Sequence, residues 1–206
     1  MKRLLIGLLI TPVALADSVL ITNAKLMSMG SMGTQDNVSV LIEDGLIAEI
    51  DQSITATADT LIDADGAMVT PALFAGATAT GLVEVNAVRE SADGSMNDSK
   101  DNTVQVEFDV RNAYSPLSSL VGVTRVEGFG YSLLTAVGGQ YSVAGRGSLV
   151  DFDGGFESFD GTDVLFVDVG GYAADKVGGS RAAHWMLLEG IMADVKRRSA
   201  EREYLS

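Results

Sequence analysis

The chain has no cysteine and a single histidine in 206 residues. The first absence removes disulfides, thiolate nucleophiles, cysteine-type zinc sites and iron–sulfur clusters. The second removes any site that draws two or three imidazoles from this chain. Positive charge is scarce too: 14 Lys and Arg face 28 Asp and Glu, a formal net charge of −14. A nucleic-acid binder needs a basic footprint to displace phosphate counterions, so nucleic acid is excluded as a partner. Three prolines against 23 glycines, with 47% hydrophobic residues, describe a chain with a core to bury and exclude disorder and collagen. No apolar run reaches the roughly 20 residues of a membrane-crossing helix, so no membrane span is expected. The signatures G-x-S-x-G, S-x-x-K, G-x-x-x-x-G-K-[ST] and H-E-x-x-H are all missing.

What is present begins with an address. Met1-Lys2-Arg3 is a short basic start, Leu4 to Leu15 is apolar apart from Thr11, and Ala14-Leu15-Ala16 is a small-x-small cleavage pattern. That is the layout of a secretory signal peptide over 1–16. Cleavage after Ala16 removes Lys2 and Arg3 and takes the formal charge from −14 to −16. The expected location is the periplasm, or outside the cell.

Residues 17–70 read as a small all-β unit. Ser18 to Met29 alternates, Val38 to Glu43 alternates again, Asp44-Gly45 is a hairpin turn, and Leu46 to Ile50 returns. Two more short strands, Thr60 to Ile62 and Ala67 to Thr70, flank Asp65-Gly66. Pro71 opens the second region, 71–206. Residues 73–85 suggest a buried strand and its loop, and 86–109 an exposed acidic excursion containing Asp93-Gly94, Asn97-Asp98 and Lys100-Asp101-Asn102. Leu120 to Glu127 reads as a buried strand. Residues 131–137 and 148–152 read as strands around a Gly-rich connection from Gly138-Gly139 to Gly147, and Asp163 to Val169 as another buried strand. Ser180 is placed to cap a helix whose Leu188, Ile191, Met192 and Val195 recur at i, i+3, i+4 and i+7.

The order of motifs from Val19 onward resembles the start of the amidohydrolase superfamily. Those enzymes open with "ILI-N-A" and a hairpin "V-L-I-E-D-G-x-I-A-x-I", matched here by Val19-Leu20-Ile21-Thr22-Asn23-Ala24 and by Val40 through Ile50. Their "V-I-D-A-x-G-x-x-V-x-P-G-L-I-D-x-H-x-H" is matched by Leu61-Ile62-Asp63-Ala64-Asp65-Gly66-Ala67-Met68-Val69-Thr70-Pro71-Ala72-Leu73-Phe74-Ala75-Gly76-Ala77-Thr78-Ala79. Gly122-Val123-Thr124-Arg125-Val126 is similar to the "G-V-T-T-V" that opens a later barrel strand. Val143-Ala144-Gly145-Arg146-Gly147 resembles, more weakly, the "I-x-G-x-G" of imidazolonepropionase- and dipeptidase-like members.

The resemblance implies an α/β protein: an N-terminal β-sandwich followed by a (β/α)₈ TIM-type barrel whose first strand ends in His-x-His, two imidazoles on a divalent metal that activates water. Here those positions are Ala77 and Ala79, the preceding Asp position is Ala75, and the Gly of the "P-G-L" step is Ala72. A methyl group has no lone pair, so no metal and no other cofactor is expected, and no catalytic residue is assigned.

Elsewhere the candidates are thin. His184 sits on the last helix beside Trp185, where a lone imidazole is more often packed or surface than a ligand. Asp151-Phe152-Asp153-Gly154-Gly155 and Asp93-Gly94 faintly suggest Ca²⁺, without EF-hand spacing. Gly128-Phe129-Gly130 and Gly145-Arg146-Gly147 are isolated G-x-G pairs, expected to mark turns. Glu127 and Asp168 lie in or near apolar strands, where each either pairs, with Arg125 the nearest cation in sequence, or points to solvent.

The region after Pro71 is shorter than the roughly 250 residues a full barrel needs. An incomplete barrel is therefore expected, from a fragment of a longer product or from a shortened protein that needs a partner, with the fragment favoured. Two functions stay open. One is an exported amidohydrolase-like pseudoenzyme that holds an unidentified small molecule or partner, or self-associates. The other is the N-terminal part of a longer hydrolase acting on non-peptide or cyclic amide C–N bonds through an atypical metal site.

Overall fold

A computed structural model describes residues 18–85, 87–96, 104–137 and 141–205. Residues 1–16, expected to be a signal peptide, and Asn97-Asp98, Lys100-Asp101-Asn102 and Gly138-Gly139 lie outside them. The chain divides into two compact units, Met1–Pro71 and Ala72–Ser206.

The first unit is one mixed sheet of five strands: β1 (Ser18–Met27), β2 (Thr34–Glu43), β3 (Leu46–Asp51), β4 (Thr60–Asp63) and β5 (Met68–Val69). β1 is central, antiparallel to β2 on one side and parallel to β4 and β5 on the other. Asp44 and Gly45 have φ of 52° and 76°, the two positive values a type I′ hairpin between β2 and β3 requires. Asp65 and Gly66 repeat that geometry between β4 and β5, with Ala67 N–H closing the turn on Ala64 O at 2.8 Å. Opposite them β1 bulges at Asn23, whose Nδ2 donates to Asp63 Oδ1 at 3.3 Å and whose carbonyl accepts from Gly66 N at 2.8 Å.

Leu26, Val38 and Val40 form the core of this unit, with Ile21, Ile42, Ile50 and Val69 packed against them. Of the expected sandwich, the described residues of this unit show one sheet, and Leu46, Leu61 and Met68 remain 72%, 68% and 67% exposed. These are strand residues whose apolar side chains lack a second layer.

In the second unit β6 (Leu73–Thr78) runs parallel to β7 (Phe129–Leu134), then β8 (Val143–Asp151) and β9 (Val164–Val167) follow antiparallel, giving the order β6-β7-β8-β9. Only β6–β7 has the parallel crossover of a barrel; β8 and β9 return as a meander. The core joins Leu82, Val110, Val121, Leu134, Ala136, Ala144, Val150 and Phe152. Gly76, at φ 78°, sits at the register shift where β6 bends between Phe74 and Ala77.

Leu120–Glu127 is not a strand. It lies in helix α1 (Ser119–Val126), and the strand comes after it. The β-branched run suggested extension, yet Ser118 supplies an N-cap, its Oγ accepting from Leu120 N at 3.2 Å. Thr124 Oγ1 satisfies itself on Leu120 O at 2.7 Å, and of the whole helix only Val121 is buried. The other strands also shift: 131–137 becomes β7 at 129–134, 148–152 becomes the longer β8, and 163–169 becomes the four-residue, half-buried β9. Gly130, Gly145 and Gly147 lie inside β7 and β8 rather than at turns, for a steric reason: a Cβ on Gly130 would meet that of Ala72 at 2.4 Å.

A short helix α2 (Gly171–Lys176) precedes α3 (Arg181–Leu205). Ser180 caps α3 as the sequence indicates, its Oγ accepting from Ala183 N at 3.1 Å and its carbonyl from His184 N at 3.0 Å. The apolar stripe is only partly used: Leu188 and Ile191 are half-buried, whereas Met192 and Val195 are exposed.

Candidate functional site

In a parallel β-α-β unit, ligand sites form where the strands end and the loops begin. In this chain that place is the C-terminal end of β6, with the loop after it, α1 and the segment after β7. Ala75 and Ala79 pack against the core cluster, while Ala77 pairs with Leu133 and is exposed. Thr78, between the two alanines, is tied to the neighbouring strand. Its Oγ1 donates to the fully buried Ser132 Oγ at 3.3 Å, and its carbonyl accepts from Thr135 N at 2.9 Å.

Beside them Ala79, Thr80, Val83, Glu84, Leu120 and Val137 line an open cleft of about 260 Å³. Among the described lining residues Glu84 is the one ionisable group, accepting from Ser119 Oγ at 3.3 Å. Two methyl groups stand where the resemblance calls for imidazoles. Among the described residues no group of three or more His, Cys, Asp or Glu is placed to hold a metal ion. The residues present therefore do not fit the divalent metal that the resemblance implies, and no reaction step is derived through one.

The other sequence candidates are dispersed. Arg125 turns to neither Glu127 nor Asp168: its Nη1 donates to the carbonyls of Phe152 and Asp153 at 3.2 and 3.0 Å, tying α1 to the end of β8. Glu127 is the exposed C-cap of α1, and the Asp168 carboxylate accepts from Gly170 N at 2.7 Å. Asp153 serves its own turn, accepting from Ser158 Oγ at 2.6 Å and Gly155 N at 2.8 Å. The Ser158 hydroxyl, then the Gly155 amide, hold its carboxyl below the usual value. Asp151 ends β8 opposite Tyr131. Asp93 is engaged through its backbone, donating to Leu82 O at 2.9 Å.

Two features had no sequence motif. The first joins Asp109, Arg111, Arg146 and Asp163. Arg111 grips Asp109 through two nitrogens, Nε at 2.8 Å and Nη2; Arg146 grips Asp163 the same way, Nε at 3.0 Å and Nη2; and Arg111 reaches Asp163 at 3.8 Å. The first bidentate pair braces the 109–111 turn, the second joins β8 to the entry to β9, and the Arg111–Asp163 contact links the two. The Arg111 guanidinium beside Asp109 and the Arg146 guanidinium beside Asp163 hold both carboxyls below their ordinary range. Two cations and two anions cancel, so the cluster is a clamp rather than an ion site. The second is Tyr114, edge-on to Phe159 at 5.4 Å. Burial, and then the charges of Asp153 and Asp151, push its buried hydroxyl up to about 12.

His184 is packed: only 2% exposed, with neither Nδ1 nor Nε2 finding a hydrogen-bond partner among the described residues. Val169, Arg181, Trp185 and Leu188 line a cavity of about 100 Å³ with it. An orphaned buried polar group costs about 1–3 kcal/mol.

Comparison with solved structures finds one that matches most of the chain. An amidohydrolase from Thermotoga maritima matches 90% of this chain and 49% of its own, with a TM-score of 0.77 at 17% identity. A second amidohydrolase (24% identity, TM-score 0.29) and a dihydroorotase (29%, 0.27) each match 32% of this chain and 16% and 18% of theirs. The chain shares the fold of the Thermotoga amidohydrolase over the matched part, and it spans about half the length of that protein. No family model and no curated protein matches its sequence.

Proposed function

We propose that this chain is an exported amidohydrolase-fold protein without the first-strand metal site, and that it does not catalyse hydrolysis as it stands. The observation that carries this reading is Ala77-Thr78-Ala79 at the end of β6, beside a cleft whose described lining holds one carboxylate, Glu84. One carboxylate cannot assemble the three protein ligands that a catalytic zinc ordinarily takes. Elemental analysis of purified, tag-free protein tests it. No zinc, nickel or iron should survive dialysis, and near-stoichiometric retention of any of them overturns the reading. Export rests on the layout of residues 1–16. It predicts a mature N-terminus at Asp17, which N-terminal sequencing of protein from the cell envelope checks.

The match to only 49% of the Thermotoga amidohydrolase favours a second reading. In it the chain is the N-terminal part of a longer hydrolase that opens non-peptide or cyclic amide C–N bonds with an atypical metal site. Sequencing the reading frame beyond Ser206 separates the two: downstream His and Asp motifs support the second reading, and a stop codon removes it.

A further inference from the structure

We propose that the cavity beside His184 binds a short-chain aliphatic carboxylate. The inference is independent of the catalytic reading, because the cavity lies on α3 rather than at the end of β6. Arg181, His184, Trp185 and Leu188 recur at i, i+3, i+4 and i+7, so they share one face of the helix, opposite Val169 from the segment after β9. His184 is 98% buried there, with both ring nitrogens unpartnered. Buried polar atoms in folded proteins are almost always satisfied, so an imbalance of this kind points to a missing partner.

The walls define that partner. A ring N–H of His184 requires an acceptor. The Arg181 guanidinium, in the first turn of α3 where the helix dipole is also positive, favours a negative charge. Val169, Trp185 and Leu188 require an apolar body. A volume of about 100 Å³ exceeds what one water fills, about 30 Å³, and suits a carboxylate of a few carbons. Water alone would satisfy the imidazole but leave the apolar walls wetted. A phosphate is strongly hydrated and would face three apolar side chains. A metal ion would find one imidazole and no carboxylate among the lining residues.

The chain carries one His and one Trp, and both line this cavity, so two site-specific probes come free of assignment. The full chain, labelled with ¹⁵N-histidine, is titrated with sodium propionate, n-propanol or sodium chloride at matched ionic strength. Propionate should move the His184 ring resonances saturably and change Trp185 fluorescence with the same midpoint. Arg181→Gln, at an exposed position, should raise that midpoint about three- to five-fold, the worth of a surface ion pair. Absence of a saturable shift overturns the proposal. So does an equal response to propanol, which would mean an apolar cavity only, or to chloride, which would mean an adventitious ion only.

Discussion

A Cβ built on Gly147 would lie 2.0 Å from the carbonyl oxygen of Leu134, on the adjacent strand of the same sheet. Gly145, two residues earlier and at φ 137°, stands in the same relation to the Phe108 carbonyl, at 2.5 Å. The Gly-Arg-Gly run in β8 is thus fixed by two close backbone approaches. Between the glycines, the Arg146 amide donates to Phe108 O at 2.7 Å while its side chain takes Asp163.

Gly147→Ala should therefore destabilise the chain by about 1–3 kcal/mol, because the obstructing atom is backbone and cannot swing away. Gly122→Ala is the matched control. Gly122 lies in α1 with no atom within 4 Å of its would-be Cβ, so the substitution should stabilise by up to about 1 kcal/mol. Urea denaturation of the two variants checks both signs.

The clamp of Asp109, Arg111, Arg146 and Asp163 predicts a pH dependence. Both carboxyls are held below their ordinary value of 3.8 in the folded chain. A lowered folded value stabilises at pH above the ordinary one, and that contribution drains as pH falls through the lowered values. The native state should thus weaken between about pH 5 and pH 2. Asp163→Asn should lower the urea midpoint at neutral pH and make the acid decline shallower. An unchanged decline would show that these ion pairs are too solvated to matter.

The legible parts of the fold were those set by local chemistry. Asp44-Gly45 and Asp65-Gly66 marked turns because two successive positive φ values leave few other residue choices, and Ser180 marked a helix start because a hydroxyl at that position has an amide to accept from. Leu120–Glu127 misled because Val121, Val123, Thr124 and Val126 have strand-like side chains, while the deciding group, Ser118, lies outside the run. The place of Ala77 and Ala79 at the end of a strand was legible because Pro71 and the apolar run after it mark where β6 begins. The Asp109–Arg111–Arg146–Asp163 clamp and the orphaned ring of His184 were not, since each depends on which distant segments meet.

Restoring the resemblance by Ala77→His and Ala79→His should not create a hydrolase. Ala77 is exposed at the strand edge and Ala79 packs against the core, so the second imidazole must displace its neighbours. Even well placed, two imidazoles with Glu84 across the cleft lack a supporting shell to orient them. Metal-dependent turnover of a generic amide or ester by the double variant, absent from the parent chain, would refute this.

The last prediction concerns association. β3, β4 and β5 lie at the edges of the first sheet and β6 and β9 at those of the second, so among the described residues these strands each lack a strand partner on one side within their units. Leu46, Leu61 and Met68 in the first unit, and Val126, Trp185 and Met192 in the second, add exposed apolar side chains. Open edges and uncovered apolar surface favour self-association. A net charge of −14 opposes it through repulsion, and cleavage after Ala16, as proposed above, would strengthen that opposition to −16. Salt decides between them, because the Debye length shrinks from about 30 Å at 0.01 M to about 10 Å at 0.1 M, while apolar attraction is not screened. The mature chain should accordingly scatter more light as salt rises, and Leu61→Glu with Met68→Glu should suppress the rise. A monodisperse monomer at high salt, melting in one sharp transition, would show instead that the exposed strands need no cover.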